Sequence, residues 1–174
     1  MTETIKFLKI RKVKSPSRAN FYDAGIDFYV PEFTDEFLKD LEEKNKNLSS
    51  GEITNQNILL HSGQRILIPS GIKCQMANPG RALIAANKSG IASKTGLIFG
   101  AQVIDYEYQG EIHLNLIYTG SGIAEIIPGQ KIIQFIETPV FNSIIEVIEN
   151  QTSAEFYRMK TGRGEGGFGS SNKN

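Results

Sequence analysis

The stretch RILIPSGIKCQMANPGRALIAAN, residues 65–87, decides the fold class. It contains three short apolar runs, and the turn sequences PSG and NPG separate them. Proline and glycine interrupt regular structure, and apolar runs of about 4–8 residues between such turns are typical of β-strands. The stretch therefore predicts three consecutive short strands.

The rest of the chain repeats this alternation of short runs and turns. Further strands are predicted at IKFLKIRKV near the start and at GIDFYV, EIHLNLIY, KIIQFIETPV and SIIEVIE. Closely spaced short strands without an internal repeat predict an all-β fold, either a barrel or a sandwich.

One segment, FTDEFLKDLEEKNKNLSSGEITNQN at residues 33–57, departs from this pattern. Thr34 is placed to cap a helix with an acidic first turn. One face of that helix is apolar and carries Phe37, Leu38 and Leu41. The charged and then Asn/Ser-rich remainder predicts a short helix, and we interpret the whole segment as a surface insertion on the β domain.

Composition excludes several classes of protein. The chain has 174 residues, a formal net charge of zero and a pI near 6.7, so it lacks the basic surface of a nucleic-acid or membrane-surface reader. It has no apolar run of about 20 residues, the length of a membrane span. A single cysteine, Cys74, allows no internal disulfide and fits a reducing compartment such as the cytoplasm. With two histidines, catalysis must use carboxylates, hydroxyls and cations.

Residues 103–116, VIDYEYQGEIHLNL, predict a β-hairpin with carboxylates and tyrosines at its tip. One interpretation is an ordinary solvated turn. The functional interpretation is that Asp105, directly after two buried residues, is held rigidly and orients a water as general base. Tyr108, three positions later, could then lie flat against a sugar.

Three further segments carry polar groups that need partners. NKSGIASKTG, residues 87–96, combines Lys88, Ser89 and glycines in what we interpret as a turn that could cradle phosphate. Gln134 interrupts an apolar strand and needs a backbone group or a ligand. Asp27 does the same in GIDFYV, and either binds a basic side chain or helps to position a hydrated metal ion.

The chain ends in TGRGEGGFGSSNKN, residues 161–174. A glycine-rich terminus loses much conformational freedom when it becomes ordered, so a disordered end is one interpretation. The alternative is an arm that becomes ordered around a phosphate-bearing ligand. Arg163 would then pair with the anion, and Phe168 would cover a flat group.

Five segments in this order, DAGID, NKSGIASK, GAQVIDYEYQGE, GQKIIQFI and GRGEGGFGSS, resemble the five motifs of the trimeric dUTPases. The resemblance covers nearly the whole chain outside residues 33–57. It implies a distorted jelly-roll, β-barrel-like subunit of the β-clip type, with one domain over residues 1–160 and a flexible arm over 161–174. It also implies a homotrimer in which each active site takes its first, second and fourth motifs from one chain, its third from a neighbour and its arm from the remaining chain.

The resemblance further implies Mg²⁺-assisted attack of water on the α-phosphorus of dUTP, giving dUMP and diphosphate. This reaction keeps uracil out of DNA and supplies dUMP. The implied catalytic residues are Asp105 as general base, Gln134 on the α-phosphate and Ser89 beside the scissile bond. The other implied substrate contacts are Lys88, Gly90, Ala101, Gln102, Ile104, Tyr108, Arg163, Gly166, Gly167, Phe168 and Ser170.

Specific roles follow for several of these residues. Tyr108 would pack on the deoxyribose and exclude a 2′-hydroxyl, while backbone groups of residues 101–108 would recognise uracil. Phe168 would stack on the base, and Arg163 would hold the terminal phosphate. Asp27 would act on the metal only indirectly, through water or through its structural pairing. The implied partners are dUTP and further copies of this chain.

Departures from the family pattern keep alternatives open. Lys88 stands where the family usually has arginine, Ile26 replaces a common tyrosine, and Gln102 replaces a common glycine beside the base-recognising segment. One alternative is therefore a related pyrophosphatase that accepts dCTP as well as dUTP. Deamination of dCTP is disfavoured, because Asn115 stands where the deaminases have a catalytic glutamate. The other alternative is a nucleotide-gated regulatory protein that binds a partner through residues 33–57, and that insertion suggests a viral or phage source.

Overall fold

The computed structural model of the chain describes residues 3–46, 52–157, 159, 161–162 and 164. Within these residues the helices are α1 (Asp35–Asn45), α2 (Ser89–Thr95) and α3 (Ser153–Phe156). The strands are β1 (Lys6–Lys9), β2 (Gly25–Tyr29), β3 (Glu52–Ile53), β4 (Ile58–His61), β5 (Arg65–Pro69), β6 (Ile72–Gln75), β7 (Arg81–Asn87), β8 (Leu97–Phe99), β9 (Val103–Ile104), β10 (His113–Tyr118), β11 (Ile123–Ile126) and β12 (Lys131–Pro139).

The chain divides into two compact units, Met1–Phe141 and Asn142–Asn174. Every strand named above belongs to the first unit, together with α1 and α2. The second unit contains α3, which begins with a capping box between Thr152 and Glu155. No helix in the described ranges has both the length and the apolar character needed to cross a bilayer.

The strands of the first unit form four antiparallel sheets. Their orders are β2-β12-β7-β9, β5-β10-β8, β11-β4-β3 and β1-β6. The predicted mostly-β fold is confirmed, although the described strands are distributed over separate sheets rather than closed into one barrel. The deciding stretch forms β5, β6 and β7 as predicted, and each of these strands belongs to a different sheet.

Apolar residues that alternate along the strands fill the core. In β10, Leu114, Leu116 and Tyr118 are buried while the residues between them are half-buried. Phe28 of β2 and Phe135 of β12 pack ring to ring at 4.7 Å between centroids. This period of two is what one buried face of a sheet requires.

Helix α1 confirms the predicted cap, since the side chain of Thr34 accepts a hydrogen bond from the Phe37 amide at 3.2 Å. The interpretation of residues 33–57 as an insertion stays a prediction, but the helix packs firmly against the β domain. Phe37 and Leu41 are 1% and 0% exposed, and Asn45 exchanges two 2.9 Å hydrogen bonds with the backbone of Leu67 in β5. The helix also runs past Leu41, because its last turn is bonded to the sheet.

The prediction of a β-hairpin over residues 103–116 was wrong. Strand β9 pairs with β7, whereas β10 pairs with β5 and β8. The chain between them crosses from one sheet to another. The alternation from Ile112 onward therefore reflects the burial of β10 in its own sheet and does not report a turn between paired strands.

The predicted strand SIIEVIE, residues 143–149, was also wrong. This segment is described without regular structure, and Ile144 and Ile145 are 97% and 89% exposed. A strand needs a neighbour to accept its backbone hydrogen bonds, and no strand of the described residues pairs with this segment. In a single chain, several apolar side chains of this segment are therefore exposed to solvent.

Candidate active site

Asp27 forms the centre of a buried ion cluster. It lies in β2 and is 4% exposed. Lys88 forms a salt bridge with its Oδ1, and Lys131 Nζ lies 2.9 Å from its Oδ2. Burial acts to raise the pKa of Asp27, but the hydrogen bonds and charges of the two lysines outweigh it and lower the pKa below its usual value. Of the two interpretations of Asp27, the one with a basic partner is confirmed.

The sequence did not single out Lys131. Lys131 could have been found from the pairing of β2 with β12, which sets it opposite Tyr29. Tyr29 lies two residues after Asp27 on β2. Residues two apart on a strand share a face, so pairing of GIDFYV with KIIQFI would have placed this lysine near the acid. The pairing itself was not visible in the sequence.

We expect Asp27→Asn to lower the free energy of unfolding at neutral pH by about 2 kcal/mol, because it removes the buried negative charge that two lysines share. The folded pKa of Asp27 lies below the unfolded value of 3.8, so its contribution is present above that value and is lost as pH falls below it. The difference between wild type and variant should therefore shrink in acid. Urea titrations at neutral pH and at about pH 3, at one protein concentration, measure it.

A matched control is Glu32→Gln, which breaks the exposed pair of Lys12 and Glu32. Exposed pairs contribute little to stability, so this variant should unfold like the wild type at both pH values. An Asp27→Asn deficit that is equally large in acid would contradict the role assigned to the ionised carboxylate.

Gln134 lies next to Asp27 in register, on β12, and opposite Ala86 of β7. Its Nε2 donates a 2.9 Å hydrogen bond to the carbonyl oxygen of Asn87, so its partner is a backbone group. A Cβ on Gly25 would stand 2.0 Å from Gln134 Oε1. A side chain at Gly25 would therefore displace the Gln134 amide from its present position.

The prediction of a turn over residues 87–96 was wrong, because Ser89–Thr95 forms helix α2. The helix tolerates the single glycine in its first turn, Gly90, and it ends at Gly96, whose φ of 73° is the left-handed conformation of a glycine cap. Ser89 and Gly90 are exposed in the first turn. Lys88 precedes them as N-cap without a side-chain capping bond, because an ammonium group has no acceptor for the backbone amides. It binds Asp27 instead. An uncapped first turn leaves amide donors available to an oxygen ligand.

The first, second and fourth segments thus converge at one end of the β2-β12-β7-β9 sheet. Asp27, Gln134 and Lys88 are joined through the pairing of their strands, and Ser89 follows where β7 ends. The two cations contact a single carboxylate, and one amide and one hydroxyl lie at the same end of the sheet. Such a set of donors suits a phosphate-bearing ligand.

Asp105 and Tyr108 occupy one closed turn. The Tyr108 amide donates to the carbonyl oxygen of Asp105 at 3.1 Å, which fixes the four residues as a β-turn. The Tyr108 hydroxyl donates to the carbonyl oxygen of Glu111 at 2.8 Å. The expectation that two buried residues hold Asp105 was wrong, since Val103 is 56% exposed. The turn itself restrains Asp105.

The backbone just before this turn is anchored to β7. The Ala85 amide donates to the carbonyl oxygen of Gln102 at 2.7 Å, and Ile104 pairs with Leu83. Ala101 and Gln102 are exposed, and Ile104 is half-buried against the core. Substituting glutamine for the family's glycine therefore leaves the main chain bonded to the sheet.

Within one chain, Asp105 and Gln134 lie at different ends of β7. Ile104 is opposite Leu83, so Asp105 follows at the level of Ala82, whereas Gln134 is opposite Ala86. The two levels are four residue steps apart, which corresponds to about 13 Å along β7. A single chain does not bring the carboxylate of the third segment to the cluster of the other three.

The final segment was predicted to supply Arg163, Gly166, Gly167, Phe168 and Ser170. These residues lie outside the described part of the chain. Among the described residues, no group of three or more His, Cys, Asp or Glu side chains is placed to hold a metal ion. Both oxygens of Asp27 already contact lysines, which fits an indirect role toward a metal better than direct coordination.

Comparison with known proteins identifies the fold. The family model described as dUTPase matches residues 53–172. The dUTPase of Staphylococcus bacteriophage 80alpha, solved as a mutant with dUpNHpp, superposes with a TM-score of 0.73 at 19% identity, over 98% of this chain and 99% of that one. A mutant dUTPase of phage phi11 of S. aureus, whose structure reveals the coordination of a structural Mg(II) ion, gives 0.65 at 16% identity over 86% and 99%. The class is therefore that of mostly-β proteins with the dUTPase-like fold.

A curated relative narrows this class to a family. The deoxyuridine 5′-triphosphate nucleotidohydrolase of Azoarcus sp. strain BH72 is 35% identical over 118 residues, which cover 67% of this chain and 74% of that protein. The chain belongs to the dUTPase family. Its predicted viral source stays a prediction.

Proposed function

We propose that Asp105, Gln134 and Ser89 carry out the hydrolysis of dUTP to dUMP and diphosphate by this enzyme. The observation that supports this best is the closed turn that sets Asp105 and Tyr108 three residues apart, with both side chains exposed. A carboxylate beside an exposed aromatic ring can hold a water against a nucleotide whose sugar packs on that ring.

The chemistry is a direct displacement at the α-phosphorus. Asp105 accepts a proton from a water molecule while the water oxygen bonds to the α-phosphorus. The bond to the bridging oxygen breaks, diphosphate leaves, and the new hydroxyl stays on dUMP. Gln134 Nε2 and the hydroxyl of Ser89 donate to oxygens that gain charge during the step, and Lys88 and Gly90 line the same position.

Mg²⁺ fits this reaction as a hydrated ion carried on the phosphates. Magnesium keeps several waters and is typically bound through substrate phosphates with few protein ligands. It supplies charge neutralisation when bound. Asp27 would act on the ion only indirectly, because its two oxygens hold Lys88 and Lys131, which would lie beside the phosphates.

The active site is shared between copies of this chain in a homotrimer. The separation of about 13 Å along β7 between the levels of Asp105 and Gln134 supports this, because a neighbour's turn can reach the cluster when the chain's own turn does not. The exposed apolar side chains of residues 144–148 also favour burial against another copy. A third copy supplies the arm, with Arg163 on the terminal phosphate, Phe168 on the base and Gly166, Gly167 and Ser170 on phosphate oxygens.

Uracil is selected by the backbone of residues 101–108. The bond from the Ala85 amide to the Gln102 carbonyl supports this, because it keeps the main chain of the segment in place while the Gln102 side chain is exposed. Such an enzyme keeps uracil out of DNA and supplies dUMP. The single cysteine and the absence of a disulfide favour the cytoplasm as its location.

A side-by-side assay of dUTP, dCTP and dTTP tests the function. We expect diphosphate release from dUTP well above that from the other two, since thymine's methyl and the amino group of cytosine do not fit a backbone site built for uracil. In water labelled with ¹⁸O, the label should enter dUMP. Label in diphosphate would overturn attack at the α-phosphorus, and equal turnover of dCTP would favour the pyrophosphatase of altered base preference.

Partner binding through residues 33–57 stays a prediction. Helix α1 turns its apolar side inward and presents charged residues outward, such as Glu36, Lys39 and Glu43. A charged outer face is the ordinary condition of a solvated helix. The described part of the segment therefore adds no support for a regulatory docking role.

A further inference from the structure

We propose that Glu111 is a positioning residue that holds Tyr108 and Asp105 in place, and that it thereby sets the preference for deoxyribose over ribose. The inference rests on the proposed function, in which Tyr108 packs against the sugar. Glu111 lies just beyond the active-site turn, and its side chain and its carbonyl oxygen make separate sets of contacts.

The side chain of Glu111 is clamped from two directions. Arg11 donates to it in bidentate fashion, from Nε to Oε1 at 2.8 Å and from a terminal nitrogen to Oε2 at 2.9 Å. The Gly71 amide donates to Oε1 at 2.6 Å. Burial acts to raise the pKa of Glu111, but these hydrogen bonds outweigh it and lower the pKa, so the clamp is ionised at neutral pH.

The carbonyl oxygen of Glu111 accepts two hydrogen bonds. One comes from the Tyr108 hydroxyl at 2.8 Å and the other from His113 Nδ1 at 2.8 Å. A carbonyl can only accept, so the proton of neutral His113 lies on Nδ1. Burial lowers the pKa of His113, which favours this neutral form. Glu111 thus connects a clamped side chain to the hydroxyl of the residue that contacts the sugar.

The ring of Tyr108 is also restrained by its contact with Gly110. It lies against Gly110 so closely that a Cβ there would stand 2.4 Å from the hydroxyl oxygen. The Tyr108 amide is bonded to Asp105, so a shift of Tyr108 displaces the general base as well. Two contacts therefore restrain the side chain of Tyr108 and a third restrains its backbone, and the bond to Glu111 is the one that holds the hydroxyl end of the ring.

Helix α1 completes the clamp. A terminal nitrogen of Arg11 also contacts Asp40 of α1, so the guanidinium group is held between the helix and Glu111. The stem of Arg11 passes so close to Gly71 that a Cβ added to this glycine would lie 2.9 Å from Arg11 Cβ. A helix that sequence analysis took for a surface insertion is thus connected to the active-site turn through one arginine.

A merely structural clamp would affect stability alone, so the test measures sugar selectivity. Glu111→Gln keeps the shape of the side chain but loses the charge that binds Arg11. We expect the ratio of kcat/KM for dUTP to that for UTP to fall about tenfold, with a lower kcat for dUTP, because a small misplacement of reacting groups is costly. Size-exclusion chromatography and circular dichroism should match the wild type.

Tyr108→Phe provides the second arm of the experiment. It removes the hydroxyl bond to Glu111 but leaves the ring and the Arg11–Glu111 clamp, so it should lower the selectivity ratio to a similar extent. The double variant should then be no worse than either single variant, since both act through the same contact. Glu32→Gln is the control, because its exposed pair with Lys12, the chain neighbour of Arg11, shares no residue with this network. Its selectivity ratio should therefore stay unchanged.

Two results would overturn the inference. One is a wild-type ratio in folded Glu111→Gln, and the other is independent, multiplicative losses in the double variant. If Glu111→Gln fails to fold, a wild-type ratio in Tyr108→Phe alone overturns it. Failure of the proposed function is seen separately, since the wild type would then not release diphosphate from dUTP in the same assay.

Discussion

The Asp105→Asn variant is expected to hydrolyse dUTP about 100-fold more slowly than the wild type, or slower still, while it binds nucleotide normally. Asparagine has almost the shape of aspartate but cannot accept the proton of the attacking water. The substitution also leaves the backbone carbonyl that receives the Tyr108 amide, so the turn should persist. Steady-state kinetics give kcat, and calorimetry with a non-hydrolysable dUTP analogue gives the affinity.

Glu107→Gln is the matched control for this prediction. Glu107 lies in the same turn, is exposed and has no assigned contact with substrate. Neutralising it changes the charge of the turn as much as Asp105→Asn does. If both variants lost activity equally, the effect would be one of local charge, and if Asp105→Asn turned over at the wild-type rate, Asp105 would not be the general base.

The fold could be predicted where the signal is local. Pro69, Gly71 and Gly80 interrupt residues 65–87, and the three strands begin and end near these positions. The cap of α1 was equally visible, because Thr34 lies three residues before the amide that it binds. Turns and caps depend on neighbours in sequence, so a single chain is enough to find them.

Pairing between distant strands could not be predicted. Residues 103–116 contain turn residues at their centre and alternating apolar and polar residues at their end, and together these favour a hairpin. The partner of Val103 is Ile84 and that of Leu114 is Ile68, so both pairings are non-local. Strands as short as β3 and β9 carry too few residues to show a period at all.

The candidate active site could likewise be predicted only where the signal is local in sequence. That Asp27 and Gln134 need partners followed from their polarity in apolar strands, but the identity of those partners depends on which strands pair. The clamp on Glu111 was missed because Arg11 lies 100 residues away in sequence. An arginine and a glutamate at that separation look like ordinary surface charges until the fold brings them together.

Mixing two inactive variants should restore activity if the active site is shared. Asp105→Asn removes the base, and Gln134→Ala removes a donor to the α-phosphate, a loss expected to cost about 100-fold. In a 1:1 mixture of the two chains, unfolded and refolded together, a site is intact when one variant supplies Asp105 and the other supplies Gln134. Random assembly gives about one quarter of the wild-type activity, because each site draws the two residues independently.

A second mixture, of wild type with the double variant Asp105→Asn/Gln134→Ala, makes the result unambiguous. Shared sites again give about one quarter of the wild-type activity, since both residues must come from wild-type chains. Sites contained within one chain would give about half in this mixture and none in the first. The geometry favours sites that are shared between chains. Within one chain, the positions of Asp105 and Gln134 along β7 are about 13 Å apart. The pairing of β9 and β12 with β7 keeps them apart. Recovery in the second mixture without recovery in the first would place the whole site in one chain and require the turn to move toward the cluster.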